Sequence, residues 1–201
     1  MKKFYFLSLM AVLCLGLGLV ISCGDDDDDD DNDDDHNDDD DGGDDDDDDA
    51  TSDTWTDSTS GLTWQVTPSD IMSWDDAIAY CDNLSLDDGG WHLPTISELR
   101  TLIRGCDATE TGGSCGVTDS CLDSDCRDDS CYSCDYGDGP NNGCFGPSEL
   151  PGECDCYWSS SPVAKPDHYA AWAVDFKYGY VYENYYPDDT DSYYSAARCV
   201  R

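Results

Sequence analysis

Cysteine, histidine, tyrosine and aspartate are the residues here whose types and spacing suggest chemistry, and cysteine dominates. The chain holds 13 Cys, and nine of them fall between Cys106 and Cys156 with Gly, Asp, Ser and Pro between them. Such a run either ligates metal or cross-links itself. Cys131-x-x-Cys134 has the spacing of a zinc site, but no His lies in the run, so disulfides are the better reading. Cys14 and Cys23 lie near the N-terminus. Setting them aside leaves eleven, an odd number. Cys81 and Cys199 sit on elements that should meet in the core, and they are paired on that ground. Four bridges among the remaining nine leave one thiol, for which Cys156 is the candidate. Spacing does not fix the other pairings.

The other reactive types are sparser. Of three His, His36 stands in an acidic run and His92 follows a Trp, while His168 lies beside Asp167 and near Ser159 to Ser161. Ser, His and Asp types are therefore present, yet nucleophilic catalysis needs a defined mutual geometry. No catalytic residue is assigned, and the chain is read as a non-enzyme. Asp188, Asp189 and Asp191 offer oxygen ligands to a hard cation such as Ca²⁺, although such a cluster is more often a solvated turn; no other cofactor is called for. Seven Tyr occur from Tyr178 to Tyr194. Tyr180 and Tyr182 read as strand residues mixing core and surface. Tyr185, Tyr186, Tyr193 and Tyr194 lie in loop-like sequence, where a flat ring with a hydroxyl serves recognition.

These residues need elements to hold them. Gly61 to Val66 alternates as an opening strand. Ser73 can cap a helix whose apolar positions Trp74, Ala77, Ile78, Cys81 and Leu84 share one face. Thr95 with Glu98 forms a capping box for a second helix, with Ile96, Leu99, Leu102 and Ile103 buried and Gly105 as its stop. The Cys-rich stretch has too few large aliphatics to build a core alone, so cross-links must serve. Tyr157-Trp158 opens a strand. Ala170 to Phe176 alternates with Trp172, Val174 and Phe176 on one side, and a turn near Lys177 to Gly179 returns the chain through Tyr180 to Tyr182. Ala197 to Arg201 closes as a short strand.

Charge and the N-terminus set the compartment. The formal charge is -38, from 47 acids and nine bases. Twenty of the acids are Asp between Asp25 and Asp49, which leaves 27 acids against seven bases from Ala50 onward. A field this negative repels phosphate backbones and excludes nucleic-acid binding. Lys2 and Lys3 precede an apolar stretch from Phe4 to Ile21, the pattern of an export signal. Ser22-Cys23 after Leu19, Val20 and Ile21 resembles the lipobox of bacterial lipoproteins, in which the Cys is lipidated. The reading is a signal peptide over 1–22, lipidated Cys23, and a disordered poly-Asp linker over 23–60. Its run from 24 to 49 has no apolar residue with which to offset ordering entropy and reaches at most about 90 Å. It lacks the Gly-placed loop of a Ca²⁺ site and would hold cations only loosely. Membrane contact is through lipid alone.

Gly61-Leu62-Thr63-Trp64-Gln65, Trp74-x-x-Ala77-x-x-Tyr80-Cys81, Trp91-His92-Leu93-Pro94-Thr95-x-x-Glu98-Leu99, Tyr157-Trp158-Ser159-Ser160, Ala171-Trp172-x-Val174-Asp175-Phe176 and Arg198-Cys199-Val200-Arg201 occur in this order. The set resembles the C-terminal domain of Legionella-type collagen-like proteins. The match spans about Gly61 to Arg201, with 106–156 as an insertion, and His92 stands where the family usually has Arg. The resemblance implies an α+β, C-type-lectin-like domain: two helices, a small twisted and mainly antiparallel sheet, and a disulfide from first helix to last strand, in agreement with Cys81 and Cys199. It also implies surface display and adhesion. The Glu-Pro-Asn, Gln-Pro-Asp and Trp-Asn-Asp tripeptides of Ca²⁺-dependent lectins are absent. Lys165-Pro166-Asp167 and Tyr186-Pro187-Asp188-Asp189 are faint echoes of them. The family's sulfated-polysaccharide ligands transfer poorly to a region with seven bases among 27 acids.

The expectation is a lipoprotein of the bacterial cell envelope, anchored at the outer membrane and exposed, that recognises an extracellular glycan or protein. The alternatives are an acidic, cross-linked envelope component without a discrete ligand and, third, an enzyme of formylglycine-generating-like fold.

Overall fold

Ser73 starts the first helix because its hydroxyl accepts the Asp76 N–H, leaving Trp74–Asp82 as α1 with Asp75 and Asp76 at its positive end. Thr95 and Glu98 form a complete capping box for α2, Ile96–Arg100. In this computed structural model the described residues are 52–152, 154–164, 169–185 and 195–201. Two sheets accompany the helices. Strands β1 (Thr54–Thr56) and β2 (Thr63–Gln65) pair antiparallel; β3 (Cys156–Pro162), β4 (Ala170–Asp175) and β5 (Tyr180–Tyr185) form an antiparallel meander. The fold is α+β and disulfide-rich.

Three features differ from the sequence reading. Residues 54–60, assigned to the linker, form β1 and its turn, where the buried Asp57 carboxylate accepts the N–H groups of Thr59 and Ser60. Helix α2 ends at Arg100 instead of running to Gly105, because the next N–H groups bond three residues back, Leu102 to Leu99 and Ile103 to Arg100. All four expected apolar positions are nevertheless buried. The terminal segment is no separate strand. It lies between two neighbours: Gln65 N–H donates to Cys199 O, Thr63 and Arg201 exchange bonds, and so do His92 and Val200.

Strand β4 is central, and its two faces meet different partners. Trp172 and Val174 join a core with Ile96, Leu99 and Val181, while Ala171 and Ala173 face a second core with Ala77, Cys81 and Trp158. Indole N–H groups then tie distant segments together: Trp74 donates to Ser159 O, Trp158 to Met72 O and Trp172 to Leu122 O, while Trp91 closes a local loop by donating to Leu86 O. Cys81 and Cys199, both wholly buried, are bonded to each other.

The Cys-rich region is bound to the main core rather than standing apart. Its bridges are Cys106–Cys134, Cys115–Cys131, Cys121–Cys126 and Cys144–Cys154, and Cys156 is free on β3. Cys131 and Cys134 therefore have different partners and share no zinc. Phe145, Val117 and Leu150 insert into the first core. Arg100, buried at the end of α2, donates to the carbonyls of Thr109, Glu110, Cys115 and Val117. One guanidinium thus holds two turns of a segment with little regular structure.

Candidate functional site

The β4–β5 turn and the Cys-rich region meet at Gly179. Its φ of 66° suits glycine, and a Cβ there would lie 3.2 Å from Cys106 Cβ, so the turn seats directly on the Cys106–Cys134 bridge. Thr109 Oγ1 donates to Gly179 O at 2.7 Å. On the other side of the junction a 3₁₀ turn, Asp129–Tyr132, is capped by the Asp128 side chain accepting Ser130 N–H, and Cys131 anchors it through Cys115. Two bridges and a hairpin therefore fix Tyr132 and Tyr136 beside Tyr178 and Tyr180.

These four rings form a continuous strip. Tyr132 meets Tyr180 edge-on, with centroids 5.2 Å apart and planes at 78°. Tyr180 to Tyr178 is 5.1 Å and Tyr178 to Tyr136 is 5.2 Å, both tilted. A cation stands over each end: Arg127 is 5.7 Å from the Tyr132 centroid and Lys177 Nζ 5.2 Å from that of Tyr136. Tyr136 is 60 % exposed and Tyr132 36 %. A recess of about 260 Å³ adjoins the Lys177 end, lined by Tyr136, Gly137, Asn142, Gly143, Cys154 and Lys177. Burial pushes the Tyr132 phenol above its ordinary pKa against the opposing pull of Arg127, so its hydroxyl is a neutral donor at physiological pH. Arg127 lies 3.8 Å from the buried Glu183 carboxylate. Edge-to-face packing fixes the rings without covering them. Fixed, partly exposed aromatic faces bearing hydroxyls are suited to stacking on an apolar ligand face while bonding its polar edge.

The other described bases are engaged elsewhere. Arg104 pairs with Asp57 at 3.5 Å and Arg201 with Asp87 at 2.9 Å. Arg100 serves carbonyls. Arg198, buried over the Tyr157 ring, donates to the carbonyls of Gln65, Val66 and Pro151 at the base of a cleft of about 240 Å³. Glu98 caps α2 and accepts from the His92 ring at 3.1 Å.

Among the residues singled out from sequence, Tyr185 is 38 % exposed at the end of β5, opposite Ala170, and it is one of the groups acting on the Tyr132 phenol. Tyr186, Tyr193 and Tyr194 lie outside the described residues, as do Asp188, Asp189, Asp191, Asp167, His168 and Cys23. Ser159 Oγ donates to Trp172 O, and Ser161 Oγ accepts the Ile96 N–H, so both hydroxyls serve the fold. Burial pushes the Cys156 thiol up to about 12, against its bond with Tyr182. Among the described residues no three His, Cys, Asp or Glu side chains converge as a metal site, and no described helix is long and apolar enough to cross a membrane. Sequence reasoning missed Tyr132 and Tyr136. The available signal was their position beside paired cysteines, Cys131-Tyr132 and Cys134-x-Tyr136.

The family model of the Lcl C-terminal domain matches residues 53–201. No curated protein and no solved structure matches the chain.

Proposed function

The chain belongs to the Lcl C-terminal domain family, and from that premise we propose that it is a recognition protein, displayed outside the cell on lipidated Cys23, that binds an extracellular glycan. The family match is compatible with a secreted or surface domain. The lectin-like character of the fold, the poly-Asp spacer and outer-membrane display belong to the same proposal. The observation that carries it is the strip Tyr132, Tyr180, Tyr178 and Tyr136, held at an edge where two disulfides and a hairpin converge. Tyr185 extends the surface at its Arg127 end.

The reading is of binding, not catalysis. At neutral pH a thiol with its pKa near 12 is protonated and a poor nucleophile, and two of the three nearby serine hydroxyls are occupied by backbone partners. Glycan-array screening of the purified protein, followed by Tyr136→Ala with Tyr178→Ala, tests it. Loss of two stacking rings should weaken binding by roughly 5- to 150-fold, at about 0.5–1.5 kcal/mol per ring. Full binding by the folded double variant refutes the strip as the site.

A further inference from the structure

We infer that the ligand of the tyrosine strip is a positively charged amino glycan, a chain of glucosamine-type residues bearing free amines. This rests on the recognition reading above and names the chemistry within it. Three observations lead there.

Both terminal rings already hold a cation over a face, Arg127 over Tyr132 and Lys177 over Tyr136. Each face is therefore shaped to seat a cation, which the ring quadrupole attracts, and a ligand amine would take the place of the protein's own group there. The second observation is the rim. Asp128 and Asp129 precede Tyr132, Asp135 and Asp138 flank Tyr136, and all four are exposed. Arg127 faces the Glu183 carboxylate at 3.8 Å, which leaves Lys177 as the strip's one cation without a carboxylate partner among the described residues. The third is the remainder of the charge. Arg100, Arg104, Arg198 and Arg201 are committed to backbone carbonyls or carboxylates, so a polyanion meets repulsion here. A sugar amine instead meets complementary charge, and its ring presents the C–H face that aromatic side chains stack on.

Lys177 gives the sharpest test, since its ammonium occupies the Tyr136 face that a ligand amine would take. The probes are glucosamine hexamer, its fully N-acetylated counterpart, heparin fragments and an oligolysine, measured by calorimetry against full-length protein at a pH where the free amine is charged. Glucosamine hexamer should bind tighter than the N-acetylated hexamer, with affinity falling as salt rises. Lys177→Gln should strengthen glucosamine binding by about two- to fivefold, the worth of an exposed cation–ring contact. Tyr136→Leu should weaken it by at least as much. Equal binding of both hexamers overturns the charge inference and leaves glycan recognition standing. Heparin binding that weakens in Lys177→Gln also overturns it. Oligolysine binding without any glycan binding, or no binding at all, overturns both readings. Near-ultraviolet circular dichroism establishes that each variant is folded.

Discussion

Removing the Cys81–Cys199 bridge is the severest single covalent perturbation available. The bridge spans 118 residues, for which the chain-entropy relation gives about 4.9 kcal/mol at 25 °C. Four other bridges lie within that loop; Cys115–Cys131 and Cys121–Cys126 are nested inside Cys106–Cys134, so the shortest path is cut by the spans of 28 and 10 residues alone. The shortest covalent path is then about 80 residues, and the value falls only to about 4.5 kcal/mol because the dependence is logarithmic. Both sulfurs are fully buried, so truncation also leaves a void, and Cys81→Ala with Cys199→Ala should cost about 5 kcal/mol. For about 150 folded residues this lowers Tm by roughly 10–20 °C. Cys121–Cys126 spans five residues at the surface, where the same relation gives about 2 kcal/mol. The assay is guanidinium unfolding of both double variants, with the remaining bridges verified by peptide mapping. Equal losses from the 118-residue and five-residue bridges would refute the loop argument.

Four further outcomes follow from the structure. Arg100→Met should destabilise by about 3 kcal/mol or more, because buried carbonyls of the Cys-rich region lose a charged donor; hydrogen exchange should show the loss concentrated at residues 106–118. Gly139→Ala places a Cβ 2.2 Å from the Cys144 carbonyl carbon, an overlap with backbone that should cost about 3 kcal/mol in chemical denaturation. Burial would raise the Asp57 pKa, but bonds from Thr59 and Ser60 and the charge of Arg104 outweigh it and hold the pKa below its ordinary value. A carboxylate depressed on folding contributes stability above its unfolded pKa and loses it as pH falls through the folded one. Asp57→Asn should therefore flatten the acid limb of a stability–pH curve below pH 3.8, the ordinary Asp value, and an unchanged limb would refute the assignment. The Cys156 thiol, raised to about 12 by burial, should resist a thiol reagent at pH 8 in the native protein and react fully once unfolded.

Helix starts were legible because they are local. Ser73 and Thr95 supply cap acceptors whatever surrounds them, and Glu98 completes its box with its own N-cap. The α2 terminus was not legible. Where the helix ends depends on Arg100 finding carbonyls 9 to 17 residues further on, a relation no window of sequence contains. The small β1 strand was hidden for a similar reason: three residues pair only because β2 lies opposite, with Asp57 closing the turn between them.

The amino-acid sequence by itself determined the charge, the helix caps, the strand alternation of β4 and the need for cross-links, since each follows from composition or from neighbours a few positions apart. It also placed Cys81 and Cys199 on elements that meet, and the structure bonds them. Tertiary structure alone decided which of the remaining cysteines pair and that two faces of β4 pack into separate cores. It also decided that Tyr132 and Tyr136, some 45 residues before their partners in sequence, join Tyr178 and Tyr180 in one strip. Disulfide closure and ring packing are contacts across the fold, and their partners are selected by which surfaces reach each other once the chain has compacted.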